Sequence, residues 1–511
     1  MKTPSKLGAI GTVLLSMMMA GPIAAAGKVA DNDITYWVRD ALRNDERVDG
    51  SRITVTTENG IVTLSGNLDN LAAKNYADME AKKIRGVLGV LNKLVVEPTW
   101  RSDTDIRYAV RRRILNSALI ESGGIRVASV DGKVTLSGEV ASWTERDEAG
   151  LLASEVRGVK EVQNGITIQW SKTRRSDQEI KDDVVATLER DVYLSGLPIT
   201  VSVKDGVVTL TGSVGSGYEK DRARSHVPWM DSIKDVRNEL KVERWEDRGV
   251  RSHKLYPSDD ELKRAVRDQL DQDTRVDASE MTVRASYGHV TLDGSVNGHY
   301  QKRIAEQDAN DVVGVGRVTN NLVVRVESRE DWLIQDDVDF NLNTDYTLEG
   351  LGIKTSVKDG VVTLSGKVYT LYQKSHAKDV AARVRGVKKV VDRLTADWSP
   401  GKKSDAELVS VIKSRLEWNW MTSSVANNIQ VSVKNGVAIL TGDVDSWSER
   451  REAWRVAYHT DGVWNVDNRL TVKGYDYPWD EWHYSGPYEY DPHYDKYYGS
   501  DDDYPPYPWL G

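Results

Sequence analysis

Three groups of side chains in this sequence could do chemistry: its carboxylates, its histidines, and a recurring aromatic residue followed by basic ones. Acid–base catalysis needs two carboxylates aimed at one place. The adjacent pairs Asp182-Asp183 and Asp336-Asp337 do not meet that need, because sequence neighbours on a helix point in different directions. None of the eight histidines stands in a His-x-x-x-His spacing, which argues against zinc. Cysteine is absent, which removes thiolate catalysis, disulfides, cysteine-held metals and lipid attachment at a cysteine. There is no glycine-rich phosphate loop and no Gly-x-Ser-x-Gly elbow, and Asp501-Asp502-Asp503 lacks EF-hand spacing. The residues point to no enzyme, metal or cofactor. The remaining cluster is Trp143, Tyr218, Tyr300, Tyr372 and Trp447, followed by Arg146, Lys220, Lys302, Lys374 and Arg450. A ring with an apolar body beside a cation suits a lipid headgroup interface, so these ten are the candidate membrane-contact residues. A second reading has each ring stapling a helix start onto its own domain, which Leu71 and Ala72 in the first copy favour.

The cluster recurs because the chain does. A glycine closing a Val-Thr-Leu-Ser-Gly-like segment stands at Gly66, Gly138, Gly212, Gly294, Gly366 and Gly442, spaced by 72, 74, 82, 72 and 76 residues. Six residues before each lies a second glycine, two before it a leucine, eleven after it an alanine and twenty-four after it a valine, without exception. Four residue types held in six registers define one repeated unit.

Each register has a physical reading. The earlier glycine follows Asn or Asp in five copies, as in Asn59-Gly60 and Asp205-Gly206, the signature of a type I′ hairpin. Alternation such as Ile199-Val201-Val203 and Val208-Leu210 predicts strands buried on one face. A helix precedes the hairpin, with Ile106, Val110 and Ile114 four apart. Ser102, Ser176, Ser258 and Ser404 mark its start, with Asp105, Glu179, Glu261 and Glu407 three residues on as capping-box partners. A second helix follows the anchor glycine, and its alanine allows close approach to the sheet. It ends near Gly86, Gly158, Gly314, Gly386 or Gly462, where Ser232 departs from the rule in copy three. A last strand follows, as in Val318-Asn320-Leu322-Val324. The expected fold is α+β: six tandem α-β-β-α-β modules at 31–98, 102–170, 176–244, 258–326, 329–397 and 404–473. Each has a three-stranded mixed sheet with two helices on one face. Tryptophans at 100, 170, 245 and 398 follow the last strands and suggest packing between domains, in an extended, semi-rigid array with its hinge between Trp245 and Pro257.

The ends differ from the body. Met1 to Ala26 reads as a secretory signal, with Lys2 and Lys6, an apolar run from Leu7 to Ala20 and Ala24-Ala25-Ala26 before the cut, which predicts a periplasmic location. From Gly474, 38 residues hold ten tyrosines, three tryptophans, six prolines and nine acids, a composition expected to stay disordered or extended and to serve as a docking arm. The net charge of −9 lies almost wholly in that tail, at −8, leaving the body near −3 once the signal is removed. A near-neutral body is not a nucleic-acid surface.

The motifs Gly132-Lys133-Val134-Thr135-Leu136-Ser137-Gly138 and Gly158-Val159-Lys160-Glu161-Val162-Gln163-Asn164, recurring in order, resemble the BON domain of bacterial osmotic-stress and nodulation proteins. The resemblance runs from about Asp31 to Lys473 and departs at Asp392, where other copies have Asn, and at Ala438, where they have Val. It implies a non-enzymatic, periplasmic or membrane-associated protein of envelope maintenance or osmotic stress, with a phospholipid membrane surface as partner. A scaffold that binds other envelope proteins is the alternative.

Overall fold

The computed structural model describes residues 29–121, 123–169, 175–227, 230, 232–243, 257–396 and 403–473. The expected signal segment, the linker from Trp245, the tryptophans at 170, 245 and 398, and the tail from Gly474 lie outside these residues.

Within each module the order is helix, hairpin, helix, strand. In module two the first helix is Asp103–Asn116, the hairpin strands are Arg126–Val130 and Lys133–Val140, the second helix is Trp143–Ser154 and the last strand is Glu161–Ile168. The hairpin is antiparallel and its second strand lies centrally, pairing in parallel with the last strand, Lys133 opposite Glu161 through Val140 opposite Ile168. The other modules repeat this order. In modules three and four the last strand is split, into Asp235–Asn238 with Lys241–Val242 and Arg317–Asn320 with Val323–Val324. One face of each sheet is buried under the helices. Val134, Leu136 and Ile166 join Ile106, Val110, Ala149 and Ala153 in one core.

The repeated glycines do what their spacing requires. Asn59 and Gly60 both take positive φ, 51° and 79°, as a type I′ turn demands. Copy four places Tyr287 there at φ 49°. The anchor glycine has φ between 115° and 131°, a region that favours glycine. A Cβ on Gly212 would stand 2.0 Å from the Pro198 carbonyl oxygen, so glycine is needed where the central strand passes the start of its partner. Ser232 adopts φ 68° without being glycine. Ser176, Ser258 and Ser404 close full capping boxes with Glu179, Glu261 and Glu407. Ser102 caps its helix through the Asp105 N–H alone, the shorter side chain bonding the serine hydroxyl instead.

One regular feature of the sequence takes its meaning from the fold. Each first helix opens with an aspartate, and that carboxylate accepts backbone N–H bonds from the hairpin turn. Asp31 holds Asn59 and Gly60 at 2.7 and 2.9 Å, and Asp103, Asp177, Asp331 and Asp405 hold their own turns likewise. Asp259 bonds the Tyr287 N–H at 2.7 Å. Helix and hairpin are thus clamped in every module.

The extended array is not what forms. Modules pair in a nested order, one with six, two with five, three with four. The residue after the first helix of one module bridges the residue after the second helix of its mate: Asp45 with Thr460, Ile84 with Asn419, Ser117 with Val384, Val156 with Asp345 and Asp191 with Val312. Backbone bonds of 2.7–3.0 Å lock these strips, among them Trp420 N–H to Lys83 O, Arg385 N–H to Asn116 O and Val313 N–H to Arg190 O. Modules one, two and three also touch one another. Leu71 joins the module-two core, Trp143 Nε1 donates to Ile233 O at 2.5 Å, and Lys82 pairs with Asp221 at 2.6 Å. Modules four, five and six do the same through Arg303 with Asp379, Arg451 with Asp311, and Lys374 over the Trp464 ring. The physical reason is that the helix faces turned away from each sheet carry apolar and paired charged groups that find their complement in other modules rather than in water.

Candidate functional site

The candidate aromatic residues lie at two positions, not one. Trp143 and Trp447 are the first residues of their helices, whereas Tyr218, Tyr300 and Tyr372 are the second. The tyrosines and Trp447 are buried and Trp143 is half-buried.

The structure does not bring the ten residues to one surface. Tyr218 sits against Tyr193 and Trp420, its hydroxyl accepting from Arg455 at 2.6 Å and Lys83 over its ring at 4.9 Å, so that modules one, three and six meet there. Tyr372 of module five has its hydroxyl 3.2 Å from that of Tyr76 in module one and also bonds Tyr346. Tyr300 carries Arg383 of module five over its ring at 5.5 Å. Trp447 would be struck by any side chain at Gly316, in module four. Arg146 stacks on Trp143 at 4.5 Å. Arg450 lies 5.9 Å from Trp447 and donates to Leu470 O and Asn468 O. These rings fasten modules to one another. They also pack on their own modules, Tyr218 on Tyr193, Tyr372 on Tyr346 and Tyr300 within the module-four core, so the stapling reading describes part of their contacts and the joints between modules are the addition.

The basic residues have a second duty. The asparagine of the last strand donates to the carbonyl of the residue at this position: Asn164 to Arg146, Asn238 to Lys220, Asn320 to Lys302 and Asn468 to Arg450. Copy five has Asp392, which cannot donate. There the Lys374 ammonium reaches the carboxylate at 3.3 Å instead, so helix and strand stay joined by another bond.

Charge is concentrated where paired modules meet. At the one–six contact, Arg47 holds Asp45 and Glu80 at 2.7 and 2.8 Å, Lys83 holds Glu80 at 2.8 Å, and Arg415 donates to His459 O at 3.0 Å. At the two–five contact, Arg383 grips Glu155 at 2.8 Å, Arg113 reaches Asp345 at 3.3 Å and His376 meets Asp345 at 3.0 Å. At the three–four contact, Arg222 joins Asp191 at 2.6 Å and Asp311 at 3.1 Å. Burial opposes the charge on His376, but the Asp345 carboxylate outweighs it and raises the imidazole pKa. Burial pushes the His459 pKa well down, and Arg47, Arg455, Lys83 and Arg415 push it further.

Among the described residues no group of three or more His, Asp or Glu could hold a metal, and no helix is long and apolar enough to cross a membrane.

Six hairpins with positive-φ turns, six anchor glycines and a strand asparagine in five copies, replaced by Asp392 in the fifth, make one unit, and the sequence profile of the BON domain matches residues 30–98, 102–169, 176–244, 258–326, 331–397 and 404–474. The chain belongs to the BON domain family. Its BON modules are similar to osmotically-inducible protein Y of Escherichia coli (strain K12), with 32% identity over 143 residues that cover 27% of this chain and 71% of that protein. They are also similar to the outer membrane lipoprotein DolP of Haemophilus influenzae, with 25% identity over 158 residues, 30% of this chain and 81% of that protein. Among solved structures, the C-terminal domain of CdsD, a structural protein of the type III secretion system of Chlamydia trachomatis, matches at 17% identity. It covers 38% of this chain and 90% of that one, with a TM-score of 0.12.

Proposed function

We propose that this BON protein is a non-enzymatic component of the bacterial cell envelope that contacts a phospholipid membrane surface, in envelope maintenance or in the response to osmotic stress. Family membership, and relatives named as an osmotically inducible protein and an outer membrane lipoprotein, support the setting. Geometry supports one candidate for the contact surface. With the second-helix rings between modules, the reading rests on the outer face of the helix Asp103–Asn116. Tyr108 and Leu115 are 59% and 55% exposed there, with Arg107 and Arg111 exposed beside them. Residues 104, 108, 111 and 115 fall on one helical stripe, so ring, aliphatic side chain and guanidinium groups are presented together, as a headgroup interface requires.

Vesicle flotation of the mature protein tests this. Each arginine at an anionic surface contributes about 1 kcal/mol, so Arg107→Glu with Arg111→Glu lowers binding to phosphatidylglycerol-containing vesicles tenfold or more, and added salt weakens the wild type. Full binding by that variant removes the helix from the reading. Failure of the wild type to float with anionic or neutral vesicles removes the lipid reading itself, and flotation only with added envelope extract favours a scaffold.

A further inference from the structure

A cavity of about 650 Å³ opens where modules one to four meet. That is within the range of small-molecule sites, roughly 300–1,000 Å³. Its walls come from the second helices of modules one, two and three, and module four adds Arg275 and Tyr300.

Most charges on this lining are already spent on one another. Arg222 is held by Asp191 and Asp311, Arg275 by Asp273 and Asp308, Lys82 by Asp78 and Asp221, and Glu161 by Lys133. Two neighbouring acids are not. Glu148 is only 4% exposed, and its bond is a long one, 3.5 Å from the Ser117 hydroxyl. Asp147 is half-buried and lines the same space. A carboxylate taken out of water without a cation at bonding distance is costly. The other sign is also left open. The Arg146 Nε is buried with no hydrogen-bond partner, and Arg224 stands exposed on the lining. Between them lie Leu71, Met79 and Leu151.

We propose that this cavity binds a small zwitterion bearing a primary ammonium, of amino-acid to dipeptide size, with the ammonium at Glu148, Asp147 adding negative charge from its own side of the same cavity wall, the anionic end at Arg146 and Arg224, and the apolar part against Leu71, Met79 and Leu151. A primary ammonium fits better than a quaternary one because it donates hydrogen bonds to a desolvated carboxylate. The anion is carboxylate or phosphate, so the same chemistry comes from a free amino compound or from an ethanolamine phosphate headgroup. The site is separate from the helix face assigned to vesicle binding, and either reading can fail without the other.

Calorimetric titration of the full mature chain at pH 7.5 tests it, with alanyl-leucine and glycerophosphoethanolamine as the two zwitterions and N-acetyl-leucine as the control without an ammonium. Saturable binding of either zwitterion is expected, with N-acetyl-leucine at least tenfold weaker. Glu148→Gln and Asp147→Asn each weaken binding about tenfold, and Leu151→Trp, which fills the space and leaves every charge in place, abolishes it. Binding also weakens at pH 6. Burial lifts Glu148 to about 7, with Arg383 and Arg275 opposing and Glu155 assisting, and lifts Asp147 to about 6 against Arg146, Arg224 and Arg275, so both take up protons. Circular dichroism confirms that each variant is folded. No saturable binding of either zwitterion by the wild type, equal binding of N-acetyl-leucine, or full binding by folded Leu151→Trp overturns the proposal.

Discussion

At the scale of single residues, the clamps between helix and hairpin set stability. Asp103 accepts from the Ser129 hydroxyl and from the N–H groups of Gly132 and Asp131, and these bonds hold its pKa below the ordinary value. A carboxylate with a lowered folded pKa contributes stability above the unfolded value of about 3.9, and that contribution is lost as pH falls through the folded value. Asp103→Asn therefore melts at a lower temperature than the wild type at pH 7, and the gap narrows toward pH 3 in scanning calorimetry. The anchor glycines make a second comparison. A Cβ at position 212 would stand 2.0 Å from a carbonyl oxygen, whereas at position 366 it would stand 3.5 Å from one. Both positions have positive φ, 115° and 130°. Gly366→Ala carries the backbone strain alone, about 1–3 kcal/mol, and Gly212→Ala carries the clash as well. Denaturant titration should rank them in that order. The sequence showed these glycines and turns plainly, because only a few residue types tolerate such backbone angles. It also showed the helix-opening aspartates, whose meaning appears only once the turn is seen to lie above them.

At the scale of elements, the module was legible and the meeting of modules was not. Strand alternation and helix spacing report burial against an element's own sheet, and they recur six times. The strip that joins mates follows the first helix, where the residue is Asp45, Ser117, Asp191, Asp273, Asp345 or Asn419. Such a position reads as a solvated turn, since one copy taken alone does not reveal the burial that its mate imposes, nor the arginine that module two supplies to Asp345. The two rings of Trp37 and Trp418, stacked with centroids 3.3 Å apart across the one–six contact, were equally silent. The candidate aromatic residues carry the same ambiguity, because a ring beside a cation has the same composition at a lipid surface and at a buried joint. Two predictions belong here. Arg113, buried among Glu155, Thr344 and Asp345, is replaced by methionine only at a cost of roughly 3–5 kcal/mol, since Asp345 is left without one of its cations. Measured denaturation midpoints test this, and a neutral result would mean that His376 alone suffices. His459 is kept neutral when folded while the unfolded chain takes up a proton below about 6.5. Its effect on stability is therefore absent above that pH and unfavourable below it. His459→Phe should lose less stability than the wild type between pH 7 and pH 5.

At the scale of the whole molecule, nested pairing replaces an extended array with a closed body. A compact chain of this length has a radius of gyration of about 24 Å. Small-angle scattering of the protein should give a value near that figure, and a profile several times more extended would refute the pairing. The closed body also places Glu148, Arg222 and Tyr300, from three modules, around one cavity, an arrangement that no single module contains.

Nesting has a consequence in time as well as in space. Asp191 and Val312 join a short stretch of chain, while Asp45 and Thr460 join almost all of it. Closing the inner contact first brings the next pair of ends together and shortens the loop that each later contact must close. Assembly is therefore expected to run outward from the middle, like a zipper started at its centre. The module made first is then the last to find its mate. Through that wait its Trp37 face stands open to water and to other chains, so a newly made molecule is most vulnerable to aggregation in the half that emerged earliest.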